Sequence, residues 1–108
     1  MGVVCVSTSL GHRFDPVARQ IDVIALEDIA HGLAYQCRFN GQTKTFYSVA
    51  QHCLMVADLV SDELRAAALL HDAAEAYLGD MVKPLKALIP DYGSIESAVS
   101  ELIALRLV

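Results

Sequence analysis

Basic charge is scarce in this chain of 108 residues. Eight Lys and Arg stand against 13 Asp and Glu, giving a net charge of −5. A duplex nucleic-acid footprint needs the opposite balance, so that class of partner is excluded. A small anionic substrate is not, because a metal and a few local cations can outweigh a weak global field. Long apolar runs are also missing. The longest, Cys53 to Val60, is interrupted by Asp58 and falls well short of the roughly 18–20 residues that span a bilayer. The N-terminus lacks the basic stretch of a signal peptide and has Val6 where a myristoylation motif wants Ser or Thr. Cysteine is sparse: Cys5, Cys37 and Cys53 form no CxxC pair, which fits reduced thiols in a cytoplasmic protein.

Apolar residues, by contrast, are in surplus, at 55% with a mean hydropathy of +0.42. One small domain spanning 1–108 cannot bury all of them. Some face should therefore be covered by more chain or by a partner, a second copy included.

The periodicity is helical over most of the chain. Leu26, Ile29, Ala30 and Leu33 follow an i, i+3, i+4, i+7 pattern, with Glu27 and Asp28 in the favourable first turn and Gly32 near the end. Between Tyr35 and Tyr47, Asn40-Gly41 separates two β-prone runs and predicts a small ribbon or an ordered loop. Ser48-Val-Ala-Gln51 is a capping box that opens a helix carrying His52. Ser61-Asp62-Glu63 opens a second, from about Leu64 through Leu78, stopped by Gly79. Pro84 and Pro90 bracket a short helical piece, and Ser94 opens a last helix that reaches the C-terminus without a stop signal. The expected fold is all-α, a bundle of about five helices with a small β-ribbon near 35–47.

Two antiparallel helices joined by a short turn can bring His52 beside His71 and Asp72. Two imidazoles and a carboxylate suit a borderline divalent cation such as Mn, Fe, Co, Ni or Zn. Taken singly, each His is as well explained by packing or capping, and His12 and His31 carry no comparable pattern. Cys53 follows His52, but on a helix it points about 100° away.

The run Ser48-Val-Ala-Gln-His52, followed by Ala-Leu-Leu-His71-Asp72-Ala-Ala-Glu75-Ala-Tyr-Leu-Gly-Asp80, resembles the H…HD core of the HD superfamily of metal-dependent phosphohydrolases. It is most similar to the branch of bacterial 5′-deoxynucleotidases and their phage-encoded relatives. The resemblance covers most of residues 26–108. It implies that His52, His71 and Asp72 bind a divalent cation, with Mg added to the metals above. It implies that Glu75 and Asp80 act in catalysis, and that Arg38 with Phe39 contacts the phosphate and sugar of a nucleotide. Related proteins often have Trp at the Phe39 position. Pro84-Leu-Lys86 matches a Pro-x-Lys of the family and adds Lys86 as a phosphate contact.

The implied reaction is metal-assisted hydrolysis of a phosphate ester, a nucleoside 5′-monophosphate for preference. Asp80 or Glu75 would position the water or pass a proton to the leaving oxygen. The family completes its metal site with a further Asp on a later helix. No Asp follows Asp91 here, so the expectation is a domain without its C-terminal part and with weakened activity. The rival expectation is a non-catalytic nucleotide-binding or protein-interaction module that keeps an incomplete metal site.

Overall fold

A computed structural model describes residues 5–108; the start of the chain, Met1 to Val4, on which the leader and lipidation readings partly rest, lies outside them. The chain is mainly helical, as an all-α bundle with one small sheet. Strands β1 (Val6–Ser7) and β2 (Arg13–Phe14) pair antiparallel, with Val6 opposite Phe14. The helices are α1 (Leu26–Tyr35), α2 (Val49–Asp58), α3 (Arg65–Leu70), α4 (Glu75–Leu78), α5 (Lys83–Lys86) and α6 (Pro90–Leu107).

The sheet lies ahead of α1, not at 35–47 where Asn-Gly predicted the ribbon. There the two legs meet only at Cys37 and Ser48, flanked by Val49 N–H to Gln36 O at 2.9 Å and Arg38 N–H to Tyr47 O at 2.7 Å. Phe39, Asn40 and Gly41 all have positive φ, at 55°, 54° and 81°. This curls the tip into a 3-10 turn rather than a two-residue hairpin loop, leaving an ordered loop.

The capping box forms as the sequence predicts: Gln51 N–H donates to Ser48 Oγ at 3.0 Å, and Ser48 N–H donates to Gln51 Oε1 at 2.7 Å. It fixes the start of α2 and turns Val49, Cys53 and Ala57 into the core. Gly32 lies near the end of α1, as the sequence predicts. It sits inside α1 where a Cβ would meet Ala76 O at 3.0 Å, so the missing side chain lets α1 and α4 touch backbone to backbone.

The single helix expected from Leu64 to Leu78 is broken. After α3, Ala73, Glu75 and Ala76 donate to the carbonyls three residues back, so the chain runs in tight turns across 71–74 before α4. Ser94 does not open the last helix either. Pro90 does, at the first position where its missing N–H costs nothing, and Ser94 Oγ bonds back to Pro90 O at 3.3 Å.

Phe14, Ile29, Val49, Val99 and Ile103 are fully buried, and Phe14 stacks on Tyr77 with ring centres 4.3 Å apart. The apolar surplus shows at the surface, where Leu54, Met55, Leu59 and Leu64 are all at least half exposed. Among the described residues, no helix is long and apolar enough to cross a membrane.

Candidate metal and phosphate site

His52 stands in the second turn of α2, His71 caps α3, and Asp72 begins the tight turn. Their ligand atoms all lie within 4.8 Å of one another. Asp72 Oδ2 is 3.0 Å from His71 Nε2 and 3.6 Å from His52 Nε2. The two imidazole centres are 5.2 Å apart and tilted by 59°.

Protonation makes this arrangement informative. His71 Nδ1 faces the carbonyl of Ala68. A carbonyl only accepts, so Nδ1 carries the hydrogen and, in the neutral ring, Nε2 presents its lone pair. That lone pair faces Asp72 Oδ2, another acceptor. Two acceptors at 3.0 Å need positive charge between them, which either a hydrogen on Nε2 or a cation shared by the three residues would supply. A backbone carbonyl that orients a ligand imidazole through its far nitrogen is the usual support of such sites. Burial, then the nearby Arg38 guanidinium, lowers the His52 pKa despite the opposing pull of Asp72, which keeps that ring neutral and able to ligate. Cys53 is no competitor: burial, then the charge of Asp72, pushes its thiol up to about 11.

A groove of about 630 Å³ opens over these donors, lined also by Arg38, Phe39, Glu75, Asp80 and Lys86. Every residue singled out from the sequence thus reaches one place. Glu75 is buried at the start of α4, directly after the turns that carry His71 and Asp72. Burial, hydrogen bonding with Asp80 and the charge of Asp72 push the Glu75 carboxyl up to about 9, and Oε2 finds no partner among the described residues.

Asp80 follows Gly79, whose φ of 92° and ψ of 164° turn the chain sharply at the end of α4. It caps nothing, since Val82 precedes α5. Asp80 Oδ2 instead faces Arg38 Nε at 3.9 Å. That distance is too long for a hydrogen bond, so the buried Nε lacks a partner among the described residues. Such an orphaned, charged donor beside the His52, His71 and Asp72 cluster suits an anion. Phe39 is no core aromatic: it is 53% exposed and lies under the Arg38 guanidinium, 4.7 Å from its ring centre.

Two features escaped the sequence reading. Lys86 Nζ is held by both carboxylate oxygens of Glu96, each at 3.1 Å. His12, which carries no motif, donates through Nδ1 to the buried Asp28 at 2.7 Å, and Leu10 N–H adds a bond at 3.1 Å. Burial alone would raise the Asp28 pKa, but these bonds and the His12 charge lower it. Asp28 lies in the first turn of α1 as expected, and it also ties the β1–β2 loop to that helix. His31 stacks on Tyr35 at 4.2 Å and lines a separate cavity with Asp28 and Gly32, not the groove.

No family model matches the chain. It is 46% identical over 82 residues, 76% of its length, to the uncharacterised protein YfdR of Escherichia coli K12. It is also 43% identical over 106 aligned residues, 89% of its length, to an uncharacterised protein of Rhodobacter capsulatus. The chain spans about half the length of these curated relatives, 46% and 54% respectively.

Proposed function

We propose that this chain carries the cation-binding part of a phosphohydrolase of the HD type, acting on a phosphate ester of nucleotide kind. The observation that carries the reading is the convergence of His52, His71 and Asp72 with His71 oriented by the Ala68 carbonyl. These three residues would hold a divalent cation, Mn, Fe, Co, Ni, Zn or Mg, which supplies Lewis-acid polarisation of a phosphoryl oxygen and eases ionisation of water at neutral pH.

The chain's own groups supply the rest. Arg38 brings a planar, permanently charged fork to the phosphoryl oxygens. Phe39 offers an exposed ring face for a sugar or base. Glu75 and Asp80 are neighbouring carboxyls in the groove, and either can position the water or hold a proton there. From there a proton can pass to the leaving oxygen. Three free thiols accord with a cytoplasmic setting.

The test is cation uptake and turnover of a nucleoside monophosphate panel, measured with Mn, Co, Ni or Zn for the parent and for Asp72→Asn. The parent should take up the ion and release phosphate, and the variant should lose both. Uptake of cation and nucleotide without turnover would favour a nucleotide-binding module. Equal turnover by parent and variant would remove the cation site from the reaction.

A further inference from the structure

The first turns of α6 approach the reactive segment from behind the groove. Tyr92 and Glu96 are four residues apart and share a helix face. Tyr92 Oη donates to Gly79 O at 2.8 Å, immediately before Asp80. Burial, then the Glu96 carboxylate, pushes this phenol up to about 12, so it remains a donor across the neutral range. One turn later Glu96 accepts from Lys86 Nζ through both oxygens, and the ammonium lies 5.6 Å from the centre of the Tyr92 ring. One helix therefore holds both ends of the stretch from Gly79 to Lys86.

Exposed Lys–Glu pairs contribute little, but here the two side chains are only 30% and 24% exposed. Lys86 borders the groove on one side. On the other it borders a cavity of about 290 Å³ walled by His71, Asp72, Glu75 and Glu96. An ammonium has three N–H donors on a flexible stem. With two of them directed at Glu96, the third makes no hydrogen bond among the described residues and its position is restricted.

We propose that Glu96 is a positioning residue for the phosphate site, holding the Lys86 ammonium at the edge of the groove so that its remaining N–H meets a phosphoryl oxygen. This rests on the phosphohydrolase reading above.

The experiment is calorimetric titration of inorganic phosphate into the Mn²⁺-supplemented chain, with Mn²⁺ uptake measured separately. Glu96→Gln should weaken phosphate binding about five- to tenfold, as expected when a lysine regains its rotamer freedom. KM for a nucleoside monophosphate should rise alike with kcat little changed, and Glu96→Asp should recover part of the loss. On a Lys86→Met background Glu96→Gln should change nothing, because it acts through Lys86. The exchange Lys86→Glu with Glu96→Lys should keep thermal stability near the parent's while phosphate binding stays weak. Parent-like phosphate binding in Glu96→Gln or in the exchange, or equal losses on both backgrounds, would reduce the pair to a staple between α5 and α6. A parent that takes up Mn²⁺ but no phosphate also overturns the proposal. A parent that takes up neither sinks the phosphohydrolase reading itself.

Discussion

At the scale of single residues, Glu75 carries a pH signature. Its carboxyl moves from 4.5 to about 9 on folding, so the folded chain binds this proton more tightly than the unfolded chain does. That contribution to stability is complete below about pH 4.5 and drains away as pH rises towards 9. The melting temperature of the chelator-treated chain should fall across that window, and Glu75→Gln should flatten the fall. A cation on the adjacent donors favours the ionised carboxylate, so excess Mn²⁺ should flatten the parent's curve too. Identical slopes in parent and variant would remove Glu75 as the source. Arg38→Ala deletes the orphaned donor, and KM should rise at least about tenfold, the value of one hydrogen bond to a charged group; an unchanged KM would return Arg38 to the role of a solvated loop residue. His52, His71, Asp72, Glu75 and Asp80 were legible because motif spacing encodes them. Glu96 beneath Lys86 and His12 on Asp28 were not, since a contact between distant segments leaves no periodic trace.

Among elements, those with local chemistry were the readable ones. The box around α2 is closed by residues three apart, so the sequence held all of it. The break at 71–74 was hidden, because over one turn bonds to the third or to the fourth carbonyl back shift the apolar spacing by less than a residue. Of the ribbon and the ordered loop expected at 35–47, the loop forms: Asn40-Gly41 signals positive φ truly, but Phe39 joins them in it, and three such residues curl the tip. Gly79 offers a test at this scale. Nothing stands within 4 Å of a Cβ built there, so Gly79→Ala adds backbone strain alone, about 1–3 kcal/mol. Because the strained turn delivers Asp80, turnover should fall by more than the loss of folded protein explains. Gly32→Ala is the matched comparison: it crowds Ala76 and should cost a similar ~1–3 kcal/mol in stability with less effect on turnover per folded molecule. Equal losses of specific activity in the two variants would show that the Gly79 turn has no special part in placing Asp80.

For the whole molecule, an ion that binds only the folded chain must stabilise it. At a hundredfold excess over Kd the gain is about 2.7 kcal/mol, enough to raise the melting temperature by several degrees and up to roughly 20 °C in a domain of this size. Asp72→Asn should lose the response to Mn²⁺, and an undiminished response would locate the ion elsewhere. The buried cluster built on Phe14, Ile29, Val49, Tyr77, Val99 and Ile103 contains none of the three proposed ligands; they ride on its rim. That separates architecture from chemistry in the order of assembly. Packing of α2 on α3 closes the chain from Cys53 to Leu70 and brings His52 to His71, so on this arrangement the fold would not wait for an ion. An ion at the proposed site would then be a late passenger and not a template, unlike the metal of a zinc finger, whose fold waits for it. Far-UV circular dichroism in excess chelator should match that in Mn²⁺; a helical signal that collapsed on chelation would make the ion a strut of the fold.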